Sequence, residues 1–97
     1  MTTTRADWAD GPLYTFMMET FPEHRSMYQI LDVQRLKREL GRSHERIYQW
    51  LRKSKLTPGN ARAICELANS EANVAALAKV NRTPPEIHQF NRFVYAD

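Results

Sequence analysis

Between Asp32 and Lys53 the chain reads DVQRLKRELGRSHERIYQWLRK, and no other stretch limits its fold as much. Val33, Leu36 and Leu40 recur at i, i+3 and i+7, one face of a helix that Asp32 can cap. Gly41 interrupts that pattern. A glycine here can take the left-handed conformation that closes a helix and turns the backbone sharply. Ser43 then offers a cap for a second helix over 43–53. In it Ile47, Trp50 and Leu51 share one face, while Glu45, Tyr48, Gln49 and Arg52 share the opposite one. An apolar stripe thus faces a core, and a row of hydrogen-bonding and stacking groups faces outward.

Charge concentrates on the same stretch. Residues 35–55 carry Arg35, Lys37, Arg38, Arg42, Arg46, Arg52, Lys53 and Lys55 against Glu39 and Glu45, a net +6. Residues 1–34 sum to −3 and residues 56–97 to zero, so the chain's net +3 is this excess less the acidic first third. A polyanion is the direct physical partner for such a distribution. Two short helices joined by a turn containing glycine form the helix-turn-helix pattern.

The flanking sequence predicts an all-α fold, a single small domain of five or six helices. Residues 1–11 are polar and read as a loose arm, with Trp8 as its anchor. Pro12 opens a helix through Thr20 that turns Leu13, Phe16 and Met17 inward. Residues 22–31 read as a loop with a helical turn and an exposed His24. Thr57-Pro58 starts a helix to Asn69, with Ala61, Ile64, Leu67 and Ala68 buried. Ser70 starts another, ending at Asn81 or Arg82, with Val74, Leu77 and Ala78 inward. Thr83-Pro84-Pro85-Glu86 matches a capping box for a last helix over 83–95, whose stripe is Ile87, Phe90 and Phe93 or Val94. The helical domain spans 12–97, and period-2 alternation is absent.

Other chemistries find little support. Cys65 lies at the edge of an apolar stripe with no histidine near it in sequence, the pattern of a structural thiol. His24, His44, His88 and Cys65 lack the close spacing of zinc ligands, and three isolated glycines make no phosphate loop. No enzyme activity, metal, cofactor or small-molecule substrate is expected. No apolar run approaches the roughly 20 residues that span a membrane, and no secretory signal is evident. A lone cysteine adds to the expectation of a cytoplasmic protein.

From Leu31 to about Leu67 the chain resembles the Cro and repressor type of helix-turn-helix found in phage and bacterial regulators. Leu36, Leu40, Gly41, Ser43, Ile47, Trp50 and Leu51 carry the resemblance, with Leu56-Thr57-Pro58, Ala63-Ile64 and Leu67 behind them. Two positions depart from the pattern: Lys37 stands where a small residue is usual, and Arg42 where a small or branched apolar one is. The resemblance implies a transcription regulator that binds double-stranded DNA in a sequence-specific way. The second helix would lie in the major groove, with Ser43, His44, Glu45, Tyr48 and Gln49 reading base edges. Arg42, Arg46, Arg52, Lys53, Lys55 and Thr57 would meet phosphates, flanked by Arg35 and Arg38. Tyr48 can equally pack on Leu51 or His44. Regulators of this kind commonly act as dimers, and Phe90, Phe93, Val94 and Tyr95 are the residues expected at a homodimer interface. The competing reading for the last helix is that it packs on residues 13–21. The competing reading for function is a protein-interaction module on the same scaffold, with RNA binding a third.

Overall fold

A computed structural model of the chain describes residues 7–9, 11–26 and 29–94. Over these residues five α-helices follow one another: α1 (Pro12–Thr20), α2 (Val33–Leu40), α3 (His44–Lys53), α4 (Pro58–Ala68) and α5 (Glu71–Lys79). Short 3-10 segments, Asp7–Ala9 and Ile87–Phe93, lie at either end. The fold is all-helical. No strand forms among the described residues, only isolated bridges between Arg25 and Leu31 and between Leu56 and Val94.

The helices begin where their caps place them. The side chains of Asp32, Ser43, Thr57 and Ser70 each accept the backbone N–H three residues on, from Arg35, Arg46, Asn60 and Asn73. Each bond satisfies one of the free amides at a helix start. Gly41 closes α2 with φ +68°, and its N–H reaches the Lys37 carbonyl at 3.0 Å. The apolar faces of α2 and α3 meet across this turn, where Leu36, Ile47 and Leu51 are fully buried. Leu13, Met17, Phe21, Leu56 and Ile64 complete the core around them, and Ala61 and Ala68 are buried on α4 as expected.

Four expectations are corrected. On α5 the inward residues are Asn73, Ala76 and Leu77, while Val74 is 37% exposed and Ala78 lies on the surface. The Asn73 amide donates to the last carbonyls of two other helices, Thr20 at 3.0 Å and Ala68 at 2.9 Å. Buried carbonyls without donors cost about 1–3 kcal/mol each, and the Asn73 amide answers two of them.

The last helix is not an α-helix. Pro84 and Pro85 have no N–H, and a proline forces its predecessor out of the α region. The start moves to Glu86, whose box partner is Gln89 rather than Thr83. A 3-10 winding of three residues per turn then puts Phe90 directly above Phe93. Both are fully buried, packed on Phe16 with ring centroids 5.0 and 5.4 Å away. They therefore cannot supply the dimer interface expected of them. Val94 is half-buried, Tyr95 lies outside the described residues, and Ile87 is not part of a buried stripe but 49% exposed.

His24 is buried, not exposed, and its Nε2–H donates to Glu39 Oε1 on α2. The loop before α2 folds back on itself through the Arg25–Leu31 bridge, and the Leu31 N–H donates to the Tyr14 hydroxyl at 3.3 Å. At the N-terminal side, Trp8 seats the Asp7–Ala9 segment against α1 and α3, its ring 5.6 Å from Tyr14 and 4.9 Å from Tyr48. Trp8 thus anchors the segment as expected of it; residues 1–6 and 10 lie outside the description.

Burial alone would raise the Glu39 carboxyl. The hydrogen bond and charge of His24, with those of Arg35, outweigh it and hold the group below its ordinary value of 4.5. A lowered carboxyl stabilises the fold above its unfolded value, and that contribution is lost as pH falls through the folded value. The thermal midpoint of the wild type should therefore exceed that of Glu39→Gln at neutral pH. The two should converge as pH drops below about 4.5. Separately, Gly41→Ala should cost about 1–2 kcal/mol from the left-handed backbone alone, since no atom crowds that position. Urea unfolding of the variant measures it.

Candidate nucleic-acid interface

α3 presents its polar face to solvent because Ile47, Trp50 and Leu51 fix the other face in the core. Glu45, Arg46, Gln49, Arg52 and Lys53 are exposed along it. Beside it α4 begins at Thr57, and Arg46, Gln49, Trp50, Lys53, Thr57 and Asn60 line a shallow groove of about 170 Å³ between the two helices. Hydrogen-bond acceptors, amide donors and two cations therefore stand together at the surface, above a buried indole.

The expected base readers divide into two sets. Glu45 and Gln49 are exposed and one turn apart. Ser43 is exposed, but its hydroxyl oxygen caps the Arg46 N–H at 3.2 Å, which commits one of its lone pairs to the helix start. His44 is half-buried, and its ring lies edge-on to Tyr48 at 6.1 Å. Tyr48 is half-buried beneath Trp8, so its ring belongs to the packing of the N-terminal segment. The sequence offered Tyr48 a partner in Leu51 or His44. Trp8 carried no periodic signal that would have linked it to α3.

The expected phosphate contacts divide in the same way. Arg38, Arg46, Arg52, Lys53 and Lys55 are exposed, and so is the Thr57 cap. Arg35 is engaged within the fold: its Nε donates to Glu39 at 3.3 Å and its Nη1 to the Glu23 carbonyl at 3.2 Å. Arg42 is engaged as well. Its Nε donates to Asn60 Oδ1 at 3.0 Å and its Nη1 to the Leu40 carbonyl at 3.1 Å. The side chain that departs from the resemblance thus ties the turn between α2 and α3 to the first turn of α4. Lys37 is half-buried at the other departing position.

At the far end of α3 a second hollow opens, about 460 Å³, where Arg52, Lys53 and Lys55 meet Arg92 and Phe93 of the C-terminal segment. Leu56 brings these parts together: its N–H donates to the Phe93 carbonyl at 2.6 Å, beside the bridge to Val94. Arg92 stands 37 positions beyond Lys55, with nothing in the local pattern to connect them.

Elsewhere the chemistry is sparse. Burial pushes the Cys65 thiol up, helped by the charge of Glu66 and opposed by Asn69, which is the reverse of what a nucleophile needs. Among the described residues no group of three His, Cys, Asp or Glu side chains could hold a metal ion, and no helix is long and apolar enough to cross a membrane.

Arg42→Ala should act as the loss of a clamp. It leaves the buried Asn60 carbonyl oxygen without its donor, at about 1–3 kcal/mol, so the urea midpoint should fall. Compared with protein-family models, curated proteins and solved structures, the chain matches none.

Proposed function

We propose that the chain binds double-stranded DNA by laying α3 in the major groove, and that it serves as a sequence-specific transcription regulator. One observation carries this reading: Glu45 and Gln49 are exposed on one helical line, bordered by Arg46 and Lys53, on a helix whose back is fixed in the core. An α-helix fits the major groove, where an amide can bond adenine through two edge positions and a carboxylate can accept from cytosine. Ser43 and His44, at the helix start, stand where a helix-turn-helix meets base edges. Arg38, Arg46, Lys53 and Lys55 supply charge to the sugar–phosphate chains on either side, with Thr57 at the start of α4. The +6 over residues 35–55 supports a polyanion in preference to a protein partner.

Selection of bound duplexes from a random pool, followed by anisotropy titrations, tests the reading. Gln49→Ala should relax the preferred sequence and cost about 1–3 kcal/mol on the best duplex. Arg46→Gln with Lys53→Gln should instead weaken all duplexes alike, and lower the slope of log affinity against log salt by about 0.9 per lost contact. No enrichment of any sequence, or binding that ignores salt, would overturn the proposal.

A further inference from the structure

The hollow at the end of α3 extends the same surface. Lys53 lines both it and the groove beside Gln49, so the two are continuous across one side chain. Lys53 and Lys55 reach it from the end of α3 and the connector, and Arg92 from a segment 37 residues further on. No carboxylate lines it among the described residues. Arg92 is exposed, yet it is not a freely moving side chain. Its guanidinium carbon sits 4.7 Å from the centre of the Phe93 ring and 5.3 Å from that of Phe16. Both rings are buried in the core and thereby fixed. A guanidinium held against aromatic rings still has its N–H donors for another acceptor, in a fork that matches phosphate.

We infer that Arg92, with Lys53 and Lys55, forms a second backbone-binding element, seating phosphodiesters of the same DNA that α3 reads; this rests on the DNA-binding reading above. The chemistry selects phosphate over base edges: the cations are point charges and one planar fork, with no amide or carboxylate among them to discriminate bases. The C-terminal segment is then a positioning element for the recognition helix. Lys53, which lines both hollows, would join the phosphates seated there to the groove beside Gln49.

Anisotropy titrations of the full chain over a range of salt, on the selected duplex and on unrelated ones, test this. Arg92→Gln should lower the salt slope by about 0.9 on every duplex. Arg92→Lys should restore most of the slope. Lys79→Gln, which removes a surface cation paired with Glu23, should leave it unchanged. Replacing single phosphates by uncharged methylphosphonates in the wild-type complex should reveal one flanking position whose neutralisation matches the Arg92→Gln loss. At that position the variant should lose nothing more. The Arg92→Lys variant, which keeps the cation, checks the fold: if Arg92→Gln is unstable, the same neutral phosphate should lower the wild-type salt slope by about 0.9. A wild type that binds with a steep salt slope, alongside an Arg92→Gln slope unchanged or a loss that no neutral phosphate absorbs, overturns the inference and leaves the DNA reading intact. A wild type with no salt-dependent duplex binding overturns both.

Discussion

Helices of eight to eleven residues are mostly ends. Each has four amides at its start and four carbonyls at its finish with no partner inside the helix, and a buried one left bare costs as much as a good apolar contact gives. Meeting this demand shapes the molecule more than any other interaction. Asp32, Ser43, Thr57 and Ser70 answer it at the starts. At the finishes the solutions differ: a left-handed Gly41, a left-handed Ser54, and an asparagine borrowed from α5 that serves α1 and α4 together. Ser54 does double duty, since its hydroxyl also accepts the Leu13 N–H at the start of α1. That approach is close enough that a Cβ on Gly11 would stand 2.6 Å from the oxygen, so a glycine precedes α1.

The parts of the fold that were legible in the sequence are those fixed by residues a few positions apart. Caps, the Gly41 turn and the Ile47–Trp50–Leu51 stripe follow from spacing alone, and the structure has them in place. What was not legible depends on partners distant in the chain. Asn73 turns inward for the carbonyl of Thr20, 53 residues earlier, which no local stripe of α5 announces. His24 is buried because Glu39 waits one helix away. Phe90 and Phe93 look surplus by helical periodicity, and a 3-10 winding with Phe16 beneath it makes both of them core.

The same division runs through the candidate interface. Exposure of Glu45, Gln49, Arg46 and Lys53 follows from which face of α3 is apolar, and is readable in the sequence. Whether a given arginine is available is not, because acceptors on other elements decide it. Arg35 and Arg42 carry the same charge as Arg46, but Glu39, the Glu23 carbonyl and Asn60 engage them. Their work is to stiffen the scaffold under α3: one ties α2 to the preceding loop, the other ties the turn to α4. A helix on a scaffold tied in this way keeps its exposed side chains in one arrangement.

The bridge between Leu56 and Val94 has a consequence for the order in which the molecule is made. Phe16 has its ring partners at Phe90 and Phe93, more than seventy residues later, and Leu56 is sealed by the same segment. A chain emerging from the ribosome N-terminus first will have synthesised all five α-helices while one side of α1 still lacks its cover. Contacts that close such long loops are slow to form, and until they do a phenylalanine face stays open to wrong partners. The two prolines before this segment restrict the backbone leading into it, so fewer arrangements must be searched before the last turn reaches the core. The basic surface is therefore local in composition but global in assembly, complete only when the final turn of the fold has docked.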